Sequence, residues 1–188
     1  MKRLIRYERL LPAMVLAVLA IAIPAIAQAG PEQPAVPTEI AVADGHKLFL
    51  VAHAVGVQIH ECIPNGSGYR WRFVGPRANL YDDHGMLLAT HFSGPSWQAR
   101  DGSKVTATID GNGSVTVEPT AIPWLRLRVS SASAGLDGDR LAATKYIQRI
   151  RTMEGLAPAA ASCNEATLGH VAEVAYTADY AFWKATGS

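Results

Sequence analysis

Short apolar runs alternate with turn chemistry along the chain from residue 46 onward, and this punctuation limits the fold more than any other feature. The run 47–62, KLFLVAHAVGVQIHEC, is rich in Val, Leu and Ile, and NGSG closes it at 65–68. YRWRFV follows as a short strand, and GPRANLYDDHG runs to a turn at its end. MLLATHF (86–92) is broken by SGP, continued by SWQA and turned by RDGS. KVTATI and SVTVEP flank DGNG, which reads as a hairpin. In IPWLRLRV, Leu125, Leu127 and Val129 share one face, and Trp124, Arg126 and Arg128 the other. Turns recur at roughly 8–12 residues, and no amphipathic run is long enough for a helical bundle. The expected fold is therefore all-β: a single-domain sandwich or barrel of about eight short strands.

Local detail is less determined. Gly56 suggests a bend or bulge inside the first run, or a division into two short strands. Beyond it, alternation puts Val57 and Ile59 on one face and Gln58, His60 and Cys62 on the other. Residues 145–155, KYIQRIRTMEG, suit a helix or a strand, and VAEVAYTADYAFWKA reads as strand or short helix.

The N-terminus reads as an export signal. Lys2, Arg3, Arg6 and Arg9 form a basic region, an apolar run follows, and Ala27-Gln28-Ala29 offers small residues at a cleavage site. Pro24 and the small-residue exit favour cleavage over an uncleaved anchor, and no cysteine follows for lipidation. The expected organisation is a signal peptide at 1–29, an extended Pro-rich lead-in at 30–45 and one β-domain at 46–188, secreted or periplasmic, with no stable membrane anchor after cleavage. Removing residues 1–29, with four basic residues and one acidic, leaves 13 basic and 15 acidic of the original 17 and 16, a net charge of −2 rather than +1. That balance speaks against nucleic acid as a partner. Cys62 and Cys163 are the two cysteines, and in an oxidising compartment an even pair reads as a disulfide.

Chemistry is weakly signalled. Six histidines are present, but no H-x-H pair places two metal ligands on one strand face, and no metal or cofactor is expected. Asp82-Asp83, Asp101-Gly102 and Asp137-Gly-Asp139 are accounted for by turns. There is no G-x-S-x-G elbow, phosphate loop, dinucleotide fingerprint or C-x-x-C. His91 stands out because it precedes the SGP break, where a strand end can open onto a pocket. Trp97, Trp124 and Tyr176, with Lys104 and Arg126, could form a stacking platform for a glycan or small polar ligand. The leading expectation is a non-catalytic binding domain. The rivals are an extracellular hydrolase or metal-dependent enzyme centred on His91 and Asp101, and a purely structural cell-envelope protein.

Five blocks carry a resemblance: GVQIHEC (56–62), ATHFSGPSWQARDGSKV (89–105), IPWLRLRV (122–129), KYIQRIRTMEG (145–155) and VAYTADYAFW (174–183). In this order they resemble the exported domain-of-unknown-function family numbered 3455, found in bacteria and fungi. His60 and Phe92 stand where tyrosine is usual in that family. The resemblance implies an exported location and a shared fold, and moves Tyr146–Gln148 toward strand. Some relatives carry names such as malate dehydrogenase, but without a dinucleotide fingerprint that activity is not carried over.

Overall fold

The computed structural model describes residues 30–187; the expected signal peptide lies outside them. Eight antiparallel strands form one sheet that closes on itself: β1 (His46–Asn65), β2 (Gly68–Tyr81), β3 (Leu87–Phe92), β4 (Ser96–Ala99), β5 (Lys104–Val115), β6 (Trp124–Ser133), β7 (Thr144–Glu154) and β8 (Val171–Ala185). Each strand pairs with its chain neighbours, and β8 returns to β1 to complete an up-and-down barrel. The all-β class thus holds, and of the two architectures expected the barrel is found. Residues 145–155 lie almost wholly in β7, and the C-terminal run is β8. The up-and-down order gathers the loops around 66–67, 93–95, 116–123 and 155–170 at one end, here called upper. The loops at 82–86, 100–103 and 134–143 gather at the lower end.

Three local expectations are corrected. β1 is one continuous strand of 20 residues, and its register slips at Ile59/His60 against β2, not at Gly56. Gly56 is needed for a different reason. A Cβ there would stand 2.2 Å from the Arg77 carbonyl oxygen and 2.5 Å from the Ala78 Cα, so glycine lets β2 cross close to β1. β2 likewise runs through Gly75-Pro76 as one strand of 14 residues. Pro76 is tolerated because it lies beyond the last β2–β3 pair, Ala78↔His91, where no ladder bond on that side is lost. Finally, DGNG is not a hairpin. β5 continues past it, and residues 110–113 bulge outward opposite Arg126 alone, between the pairs Ile109↔Leu127 and Ser114↔Leu125. The Asp110 carboxylate holds the bulge on β6 by accepting from Arg126 Nε and Arg128 Nε, each at 3.0 Å.

The interior mixes very small with very large side chains. Ala52, Ala54, Ala78, Ala89, Ala99, Ala107 and Ala178 make room, and Trp97, Tyr176, Tyr180 and Phe182 fill it, with Leu80, Leu141 and Ile147. The lead-in packs on the outside of the barrel. Ile40, in a 3-10 turn at Thr38–Ile40, is fully buried, a contribution of about 1.5–3 kcal/mol. Its carbonyl accepts from Gln148 Nε2 at 2.7 Å, and the Ala41 carbonyl accepts from Arg126 Nη1 at 2.7 Å. Gln148 Oε1 in turn accepts from Trp183 Nε1 at 2.8 Å. These bonds account for a buried glutamine on the outward face of β7.

Cys62 and Cys163 form the disulfide, closing a separation of 101 residues. Backbone bonds Cys62 N to His170 O and Gly169 N to Cys62 O reinforce it. The long loop 155–170 is thereby fixed to the upper half of β1.

Candidate functional site

Side chains fill the lower half of the barrel but not the upper half. A cavity of about 630 Å³ opens there. Large apolar residues stand exposed around it: Phe73 at 53 %, Ile109 at 52 %, Val74 at 47 % and Leu156 at 41 %. Ile122, Leu125 and Leu127 form its walls, and His91, Trp97 and Tyr180 lie deeper. An eight-stranded barrel is just wide enough either to be plugged by its own side chains or to hold one small molecule. Here Gly75, Gly94 and Gly155 lie in the lining and place no side chain in the cavity.

His91 (β3) and Trp97 (β4) come together because SGP turns one strand directly back on the other, making them register partners. Their rings stack, 4.2 Å between centroids and 8° from parallel, and Tyr180 of β8 meets both edge-on at 5.1 and 5.4 Å. His91 Nδ1 lies 2.9 Å from the Ser96 carbonyl oxygen. A carbonyl only accepts, so Nδ1 carries the proton and Nε2 keeps a lone pair. Burial among aromatic rings pushes the His91 pKa from 6.5 down to about 3. Such an imidazole is neutral at pH 7 and holds a proton too weakly to serve well as a general base. The Tyr176 and Tyr180 hydroxyls, 3.4 Å apart, are both pushed upward, chiefly by burial.

β1 supplies Gln58 and His60, which share one face as alternation expects, and that face is the inward one. Gln58 is 2 % exposed and His60 6 %. Gln58 Nε2, both ring nitrogens of His60 and the Trp97 indole nitrogen are buried without a hydrogen-bond partner. An unsatisfied buried polar atom costs about 1–3 kcal/mol, and four in the lining of one cavity is an unusual concentration. Burial also lowers the His60 pKa. From β7, Arg149 reaches the cavity, its Nε and Nη2 donating to the Pro123 carbonyl oxygen at 3.1 and 2.8 Å.

The candidate residues divide between two faces of the barrel. His91, Trp97 and Tyr176 are interior and buried. Lys104, Trp124 and Arg126 face outward, so the platform of Trp97, Trp124 and Tyr176 is not assembled. Strand alternation is the reason: Trp124 and Arg126 lie opposite the face of Leu125 and Leu127, and it is the leucines that point in. Arg126 serves the DGNG bulge and the lead-in, and Lys104 lies over the Phe92 ring at 5.2 Å. His91 and Asp101 are likewise apart. Asp101 sits in the lower β4–β5 turn, where Oδ1 accepts from Ser103 N and Oγ at 2.9 and 2.6 Å and Oδ2 from Arg140 N at 2.8 Å. Among the described residues no group of three or more His, Cys, Asp or Glu side chains gathers as a metal site.

Sequence reasoning missed Gln58, His60, Arg149 and Tyr180. Arg149 had a signal, since it shares a strand face with Ile147 and so places a cation on an apolar face. Tyr180 had one too, falling in step with Ala178 and Phe182.

A family model described as "Protein of unknown function (DUF3455)" matches residues 43–184. No curated protein and no solved structure matches the chain.

Proposed function

The chain belongs to the family described as protein of unknown function (DUF3455), and we propose that this member binds one small, mainly apolar molecule in the upper half of its barrel. The cavity with its exposed apolar rim carries this reading. Apolar area left open at a barrel mouth is costly to hydrate, and a ligand that covers it recovers about 25 cal/mol per Å². The buried nitrogens of Gln58, His60 and Trp97 would orient the polar end of that ligand. A glycan is less well suited, since most wall positions offer it no hydrogen bond. Catalysis finds little support beside His91, which has no carboxylate partner and whose lone pair is weakly basic. The disulfide suits an oxidising compartment, and we place the protein outside the cytoplasm, secreted or periplasmic.

The test is titration of the folded chain with the neutral apolar fluorophore 1-aminoanthracene. Saturable one-to-one binding, with quenching of the cavity tryptophan, is expected. Leu127→Trp, which fills the cavity from its wall, should abolish it. If no saturable binding occurs, or if Leu127→Trp leaves it unchanged, the cavity is not the binding site.

A further inference from the structure

Among the described residues, Arg149 is the one lining the cavity that carries charge at neutral pH. Its described lining contains no aspartate or glutamate, and His60 and His91 are held neutral by burial. Among the described residues Arg149 makes no ion pair, although Arg72, Arg77, Arg126, Arg128 and Arg151 all do. Two of its five N–H donors are spent on the Pro123 carbonyl, which fixes the plane of the guanidinium, and a further side-chain hydrogen bond links it to the Tyr180 hydroxyl. Half-buried against apolar walls, this cation is partly desolvated and has no counter-charge. The unpartnered atoms around it have the matching polarity. Gln58 Nε2 and Trp97 Nε1 can only donate, and neutral His60 has one donor to offer.

We propose that the cavity selects an amphiphilic anion: a single carboxylate on an apolar body, with Arg149 as its counter-charge. The inference rests on the reading of the cavity as a binding site and names the ligand class. A carboxylate accepts through two oxygens in one plane, which the remaining guanidinium donors match side by side. One carboxylate also balances one arginine. A phosphate monoester would bring nearly two negative charges against one positive into a low-dielectric pocket. The apolar rim, which includes Phe73 and Leu156, covers the body of the ligand.

Isothermal titration calorimetry of the folded chain with decanoate and with decanol at pH 7.5 tests this. Decanoate should bind at least about tenfold more tightly than decanol, an effect of about 1.4 kcal/mol. That preference should collapse in Arg149→Gln and survive in part in Arg149→Lys, which keeps the charge but not the fork. Equal affinity for decanoate and decanol in the wild-type chain would overturn the carboxylate assignment while leaving the cavity reading intact. A preference that persists in Arg149→Gln would overturn the role of Arg149. Binding of neither compound would overturn both readings. Should Arg149→Gln fail to fold, the wild-type ratio and Arg149→Lys still decide the matter.

Discussion

Acid should destabilise this barrel through one buried imidazole. His91 is 4 % exposed, and its pKa falls from 6.5 to about 3 on folding. Below pH 6.5 the unfolded chain therefore takes up a proton at this position that the folded chain refuses. A depressed histidine pKa contributes its full stability above pH 6.5 and loses it as pH falls toward 3. Each pH unit in that window costs about 1.4 kcal/mol, so the loss is about 2 kcal/mol at pH 5 and about 3 kcal/mol at pH 4. His91→Gln removes the titration. At pH 7 the variant should be less stable by about 1–3 kcal/mol, having lost the stack on Trp97 and, in part, the bond to Ser96. That deficit should shrink as pH falls and vanish or reverse by pH 4. The measurement is urea unfolding of both proteins at pH 7, 6, 5 and 4, followed by far-UV circular dichroism. Asp82 and Asp101, whose pKa values are lowered by hydrogen bonds, add acid sensitivity of their own. They do so equally in both proteins and cancel in the difference. A deficit that stays constant from pH 7 to 5 would refute the reasoning, as would an NMR titration of folded His91 centred near 6.5.

Three further outcomes are expected. Reducing the Cys62–Cys163 bond, or replacing both residues with serine, should cost about 4–5 kcal/mol by the loop-entropy model, read from urea midpoints with and without reductant. Gly56→Ala should destabilise by at least about 1–3 kcal/mol, because its methyl group meets the Arg77 carbonyl and β2 must move away; an unchanged melting temperature would contradict the close approach. His53 lies between Asp83 and Asp179 at 2.8 and 2.7 Å, and these hydrogen bonds raise its pKa above 6.5. Its contribution is complete below pH 6.5 and lost as pH rises through the folded value. The NMR titration of His53 should move back toward 6.5 in Asp83→Asn.

Much of the barrel could be read in the sequence because its cause is local. Period-two alternation and glycine-rich turns act within a few residues, and they located the strands. They failed where a distant strand decided the outcome. DGNG carries the local chemistry of a hairpin, yet Arg126 and Arg128 capture Asp110 and keep β5 running, so the turn residues form a bulge instead. Gly56 is fixed by β2, which alternation along β1 cannot reveal. The site was legible only in part for the same reason. His91 could be singled out from the break that follows it, and its stack on Trp97 follows from the short turn between them. Arg149 and Gln58 meet these residues only through closure of the sheet, and closure is a property of all eight pairings together. Tryptophan and arginine on β6 looked like a ligand platform because one strand does not tell which of its two faces is inside.

Closure has a consequence for how copies of this chain meet one another. A sheet joined end to end leaves only local stretches of strand edge to a second molecule, such as the parts of β5 and β6 that run past their partners on β4 and β7. In β2, residues 68–77 pair with β1 but extend beyond their partner on β3, which begins pairing at Ala78. This stretch could template intermolecular strand addition, and it carries residues that discourage it: Arg70, Arg72 and Arg77 repel a like copy, and Pro76 withholds an amide. Arg72 and Arg77 are also tied to Glu61 and Glu173 on β1 and β8, which pins the edge to its own barrel. The apolar mouth can thus stay open to a small molecule while the β2 backbone beside it remains guarded against fibrous self-association.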